Sequence, residues 1–185
     1  MVVFSMYIIN KAGGLIYQRD FGKYAKFVKT EKENAERLQQ DPTAPIPPNE
    51  YDGKFVKPSG NQYLTLASTF HGLHAISKEL IPPHARTQPE EENGGIEVLD
   101  ADTFKIYCYS TPTGTKFFYL FDAKKFSNDG VSTMEECCKW VYQCYVDYVM
   151  KNPFYELEMP IKCSLFDEHL DKYIGNLNST LKKSN

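Results

Sequence analysis

The sequence predicts an α/β fold of the α+β kind: a five-stranded, mixed but largely antiparallel sheet in the order 2-1-5-4-3, with helices on both faces. Three observations carry this reading. Hydropathy patterns along the chain run strand, strand, helix, three strands, helix, helix, and such an order builds one sheet with helices laid against it. Residues 2–9 (VVFSMYII) and 117–121 (FFYLF) are apolar with almost no polar alternation, which marks strands covered on both faces. Those two, the first and the fifth strands, therefore belong side by side in the middle of the sheet.

The first strand ends at the turn Lys11-Ala12-Gly13-Gly14, and residues 15–19 return as the second, so the chain opens with a hairpin. Over residues 21–60 charged residues dominate, followed by Pro42, Pro45, Pro47, Pro48 and Pro58. Thr30 and Glu33 could cap a short helix to Leu38, but its apolar stripe is thin. A connection this long is expected to be a mobile insertion, with little of residues 41–57 buried. Residues 61–80 form a helix with Leu66, Phe70, Leu73, Ser77 and Leu80 as its stripe and Tyr63 and Ala67 alongside, stopped by Pro82 and Pro83.

A flexible acidic linker over 82–95, containing Glu90-Glu91-Glu92, leads to strands at 96–99, 103–110 and 116–122. A second helix is expected from Ser132, with Glu135 completing a capping box. Its buried stripe is Met134, Cys137, Val141, Cys144, Tyr145 and Tyr148, and Asn152-Pro153 ends it. After an extended piece over 154–163, a third helix begins at Ser164 and buries Phe166, Leu170, Tyr173, Ile174 and Leu177.

With 185 residues, 42% of them apolar and 14% aromatic, the chain suits a single domain with one core and is not globally disordered. The net charge of −3 is mild, and lysines and arginines are spread among the acids, so no nucleic-acid-binding surface is expected. No run approaches the roughly 18 apolar residues that cross a bilayer. Residues 2–9 have no basic lead and no small-residue cleavage site, so they read as a strand and not a signal peptide. The five cysteines, Cys108, Cys137, Cys138, Cys144 and Cys163, are odd in number and lie in patterned segments, as reduced thiols in the cytosol would.

Catalytic patterns are absent. A thiol nucleophile needs a base beside it, and no histidine is marked as partner to any cysteine, while Cys137 and Cys144 fall on a buried stripe. His71 and His74, three apart on one helix, could share a face for zinc, but two further ligands are missing. They read as helix residues facing a partner or solvent. The glycines at 13–14 lack the spacing of a phosphate loop and open no helix. No cofactor, metal or catalytic residue is expected.

Two segments are stranger than a fold requires. Asn152-Pro153-Phe154-Tyr155-Glu156-Leu157-Glu158-Met159-Pro160-Ile161 alternates large apolar residues with acids between prolines. The first helix carries Leu64, Ala67, His71, His74 and Ala75 off its main stripe, and a helix apolar on two faces usually has a second packing partner. Asn152, Pro153, Phe154, Tyr155, Glu158, Met159, Pro160, His71 and His74 are accordingly the candidate partner-facing residues.

The stretches at 10–18 (NKAGGLIYQ), 63–76 (YLTLASTFHGLHAI), 103–109 (TFKIYCY), 113–117 (TGTKF), 145–155 (YVDYVMKNPFY), 158–161 (EMPI) and 165–167 (LFD) together resemble the synbindin family. Its members are the fourth small subunit of the TRAPP (transport protein particle) vesicle-tethering complex. The resemblance covers most of the chain outside the two linkers. The charged insertion and the run Glu135-Glu136-Cys137-Cys138-Lys139-Trp140 depart from the family pattern. The resemblance implies a longin- or profilin-like fold with one helix on one face of the sheet and two on the other. It also implies a non-catalytic role in transport between endoplasmic reticulum and Golgi, with other small subunits as partners. A Rab GTPase of the early secretory pathway would be reached through the complex, at an exchange surface shared among subunits. Association with cis-Golgi and endoplasmic reticulum membranes would be peripheral and indirect. The alternatives are a stand-alone longin module that binds a SNARE or adaptor protein and, third, a thiol hydrolase.

Overall fold

The structure, a computed structural model, describes residues 3–21, 59–80, 95–102, 104–122 and 129–183. Strands β1 (Val3–Ile9), β2 (Leu15–Asp20), β3 (Val98–Asp100), β4 (Phe104–Ser110) and β5 (Lys116–Asp122) form one sheet in the order β2-β1-β5-β4-β3. This is the expected order. Every pairing is antiparallel, so the sheet is not mixed. β1 and β5 are the central pair, with Tyr7 opposite Phe118 and Met6 opposite Tyr119.

Strand alternation sends successive side chains to opposite faces, and here each face receives its own apolar layer. Tyr7, Ile9, Ile106, Cys108 and Phe118 meet helix α1 (Gly60–Glu79) on one face. Met6, Ile8, Tyr107, Phe117, Tyr119 and Phe121 meet helices α2 (Asp129–Tyr145) and α3 (Ser164–Lys183) on the other. One helix therefore covers one face and two the other. The α1 side is dominated by aromatic stacking: Phe118 lies 4.7 Å from Tyr7 and 4.6 Å from Phe70, ring centre to ring centre.

α1 starts at a capping box. The Ser59 N–H donates to Gln62 Oε1 at 2.7 Å, and the Gln62 N–H reaches back to the Ser59 hydroxyl at 3.4 Å. The side that α1 buries differs from the sequence reading. Tyr63, Ala67, Phe70 and His74 face the sheet, whereas Leu66, Leu73 and Leu80 are exposed and Ser77 is half-buried. The flat aromatic layer at Tyr7 and Phe118 accepts rings and a small alanine at close range. The leucines are left to the outer face.

α2 begins one turn earlier than the capping box at Ser132 suggested, so Ser132 and Glu135 lie within the helix. Its buried stripe contains Met134, Cys137, Cys138, Val141, Cys144 and Tyr145. Tyr148 is half-buried and shares a 3.0 Å hydrogen bond with His169 Nε2. α3 begins at Ser164 as expected and buries Phe166, Leu170 and Ile174, with Tyr173 and Leu177 half-buried. Trp140 and Tyr173 stack at 3.9 Å and join α2 to α3.

Polar bonds fix α3 to the sheet edge. The Tyr17 hydroxyl donates to Asp167 Oδ1 at 2.6 Å, and Arg19 pairs with Asp167 and Asp171. Burial and the Asp167 carboxylate hold the Tyr17 phenol far above its ordinary pKa, so it stays a donor. The buried side chain of Asn178 accepts from the Val3 N–H at 2.8 Å and donates to the Val3 carbonyl at 3.3 Å, ending β1 without an unpaired backbone group.

The expected helix from Thr30 to Leu38 and most of the 21–60 insertion and the 82–95 linker lie outside the described residues. Phe21 is buried and its N–H donates to the Phe4 carbonyl at 2.7 Å, and Gly95 packs on His74.

Candidate interaction surface

The surface around residues 152–161 grows out of the end of α2. There the helix widens into one π-helical turn, Val146–Met150, and the Lys151 N–H bonds five residues back to the Val146 carbonyl at 3.0 Å. Such turns are frequent at functional sites. The Tyr148 carbonyl lies within 3.7 Å of the Cys163 thiol, which donates to it.

Beyond this the chain makes two successive turns instead of the extended piece expected from sequence. Asn152 closes the first, its side-chain oxygen accepting from the Phe154 N–H at 3.1 Å and its carbonyl from the Tyr155 N–H at 3.1 Å. The second joins the Met159 N–H to the Glu156 carbonyl at 3.3 Å, and the Tyr155 hydroxyl donates across it to the Met159 carbonyl at 2.9 Å. Local side-chain bonding of this kind is what asparagine offers in place of a ladder, and Pro153 and Pro160 have no N–H to give one. The Ile161 N–H then donates to the Ile16 carbonyl at 2.8 Å, which fastens the segment to the edge strand β2.

Glu158 sits at φ = 68°. A non-glycine residue in the left-handed region costs about 1–2 kcal/mol, and the two turns hold it there. Between these anchors the apolar side chains point outward: Phe154 is 92% exposed, Leu157 70% and Met159 53%. Met150, at the end of the π-helical turn, is exposed beside them, a residue the sequence reading placed in no patch. Tyr155 is half-buried against the α2–α3 core, and Asn152, Pro153, Glu158 and Pro160 are exposed.

A second apolar surface lies on the outer side of α1, where Leu64, Leu66, Leu73, Ile76 and Leu80 are exposed. His71 and His74 are not part of it. His74 is 2% exposed and turned toward Gly95, with the Ile96 backbone its polar neighbour among the described residues. Burial, and then the charges of Lys116 and Lys78, lower its pKa to about 4, so the ring is neutral at pH 7. His71 is half-buried beneath the turn at Gly13, and burial and Lys116 lower its pKa too. The expectation that both face a partner or solvent fails for His74, because the aromatic layer draws that side of the helix inward.

The thiols of Cys108, Cys137, Cys138 and Cys144 are held in their protonated form. Burial pushes Cys108 and Cys137 up to about 12, and it raises Cys138 and Cys144 as well. An uncharged buried thiol is a packing group. Cys137→Ser is expected to lower the unfolding free energy by about 2 kcal/mol, because a serine hydroxyl is costly in an apolar core. The urea midpoint checks this, and a midpoint equal to that of the native protein would contradict it. Among the described residues, no group of three or more histidine, cysteine or acidic side chains is placed to hold a metal, and no helix is long and apolar enough to cross a membrane.

A model of the Sybindin-like family matches residues 3–177. The trafficking protein particle complex subunit 4 of Dictyostelium discoideum is 39% identical over 175 residues, spanning 95% of this chain and 98% of that protein. The human protein of the same name is 34% identical over 217 positions, covering 92% of each chain. More distantly, trafficking protein particle complex subunit 1 of Dictyostelium discoideum is 23% identical over 179 residues. Family match, whole-length relatives and fold agree: the chain belongs to the sybindin-like family.

Proposed function

We propose that this chain is a structural, non-catalytic core subunit of a trafficking particle complex, the TRAPP-type tether. The observation that carries the proposal is the apolar patch at Phe154, Leu157 and Met159, which the chain's own fold leaves uncovered. Aromatic and methionine anchors ringed by polar groups are the composition of an interface core, and here Glu156 and Glu158 form the rim. Strained backbone kept at an exposed turn fits a surface retained for binding. The second apolar side, on α1, lets the chain hold two neighbours at once, as a central subunit must.

Within such a complex the chain contributes to a composite surface that exchanges nucleotide on a Rab GTPase of the early secretory pathway. Exchange needs no covalent chemistry. An exchanger binds the nucleotide-free GTPase better than the loaded form and thereby shifts its population. Activity then belongs to the assembly, and the chain acts between endoplasmic reticulum and Golgi, held at their membranes only through its partners. The chain works as one domain, with residues 41–57 dispensable for folding and assembly.

Reconstitution with the other small subunits tests this. Phe154→Ala removes a side chain with almost no contacts in the free chain, so the melting temperature should not move, while assembly weakens about tenfold or more. Leu73→Glu should do the same on the outer side of α1. Gel filtration reads assembly, and nucleotide release from the GTPase reads function. Normal assembly by both variants would show that neither surface receives a subunit.

A further inference from the structure

Residues 151–162 leave the helical layer and return to it at nearly the same point. They form an Ω-loop, a compact run of about 6–16 residues whose ends lie close and whose interior is filled by its own side chains. The filling here is Tyr155, which packs on the α2–α3 core and whose hydroxyl spans the loop to the Met159 carbonyl at 2.9 Å. The neck of the loop is built from Tyr148 on one side and from Cys163 and His169 on the other.

Tyr148 is gripped twice in this neck. Its carbonyl belongs to the π-helical turn, where the helix is running out of N–H groups to offer, and it accepts from the Cys163 thiol at 3.7 Å. Its ring stacks on His169 with centres 4.8 Å apart and planes 19° from parallel, and its hydroxyl shares the 3.0 Å hydrogen bond with His169 Nε2. α3 fixes Cys163 in turn, since the Cys163 carbonyl accepts from the Asp167 N–H at 3.1 Å. On the outer side Asp147 braces the same turn, accepting from Lys151 at 2.6 Å and from Gln143 at 3.0 Å.

The core does not need these contacts to close. Val149 and Ile161, at either end of the loop, are buried, whereas Tyr148 and Cys163 are half-buried. What the neck adds is a fixed orientation for the side chains beyond it. Phe154, Leu157 and Met159 on a loosened loop would bind only while the loop is closed, and the apparent dissociation constant rises as the closed fraction falls. Glu158 sharpens this dependence, because its left-handed backbone at φ = 68° favours opening and the neck opposes it.

We propose that Tyr148, Cys163 and His169 are positioning residues for partner binding, resting on the reading of residues 152–161 as a subunit-facing surface. They touch no partner and act by holding the loop in its binding form before the partner arrives.

The test uses the whole chain, with the other small subunits of the complex immobilised together. Tyr148→Phe combined with Cys163→Ala removes the hydroxyl bond and the thiol donor and keeps the ring on His169. In the free chain the amides of Phe154, Tyr155 and Met159, which all donate within the loop, should exchange with deuterium about tenfold faster in this variant, the mark of a closed fraction near a tenth. Its melting temperature should fall by less than about 5 °C. Its association rate should drop about tenfold with the dissociation rate unchanged, whereas Phe154→Ala, which removes a contact, should raise the dissociation rate. Native exchange rates in the double variant would overturn the proposal whatever the partner does. A raised dissociation rate in that variant would also overturn it, by showing that the neck touches the partner. Impaired binding by Phe154→Ala alone would leave the surface standing and remove the role of the neck. Native binding by both variants would overturn the surface reading and this proposal together.

Discussion

Gly95→Ala is expected to destabilise the protein by about 2–6 kcal/mol, the sum of a backbone and a steric contribution. Gly95 has φ = 135°, a conformation that side chains rarely adopt. Holding a non-glycine residue there costs about 1–3 kcal/mol. A methyl group would also stand 2.6 Å from His74 Cε1 and 2.7 Å from Nε2. His74 is buried beneath it, with Phe70 its ring neighbour at 6.2 Å. Overfilling of this kind costs about 1–3 kcal/mol more. For a chain of this size the melting temperature should drop by about 4–24 °C. Gly95→Ala combined with His74→Ala separates the two terms, because the steric share is relieved and the backbone share is not. A melting temperature within a degree of the native value would remove Gly95 from any structural role.

The second large effect is acid sensitivity centred on the same histidine. The folded pKa of His74 is about 4, below the unfolded value of 6.5, so the unfolded chain binds more protons between these limits. Stability is therefore complete above pH 6.5 and declines as the pH falls toward 4. The full loss is about 3 kcal/mol, most of it incurred by pH 5. Lys116 and Lys78 face the ring with positive charge, the Ile96 backbone opposes them, and the His71 pKa is lowered as well. His74→Leu keeps the volume and removes the titrating group. Its urea midpoint should fall less between pH 7.5 and 5 than that of the native protein. Parallel pH profiles for the two proteins would assign the acid sensitivity elsewhere.

His74 also shows where sequence ceases to determine structure. The strand order was legible because residues 2–9 and 117–121 are apolar on both faces, and only central strands tolerate that. α1 is apolar around two sides, so hydropathy cannot say which side meets the sheet. Leucines weigh more than a histidine and an alanine in any such reading. The outcome depends on shape, since Phe70, Ala67 and Tyr63 fit the ring layer at Tyr7 and Phe118. The segment at 152–161 was legible as an oddity, from prolines and large apolar residues alternating with acids. Its two turns were not, because they rest on Asn152 and on a left-handed Glu158 that no periodicity announces. The neck of the loop was invisible for a simpler reason. Tyr148, Cys163 and His169 become neighbours only when the end of α2 meets the start of α3.

That central strand β1 is also the earliest one made has a consequence for the life of the chain on the ribosome. Its neighbour β5 is synthesised more than a hundred residues later, and Val3 bonds to Asn178 across 175 positions. At about 5–20 residues per second, the opening hairpin emerges many seconds before anything can flank its inner edge. Throughout that interval an unpaired strand rich in Val, Ile, Phe and Tyr is exposed to other nascent chains, the condition that favours wrong pairing. The finished protein thus keeps its most adhesive strand in its safest position, and only a chaperone or dilution protects that strand until the last helix closes over it.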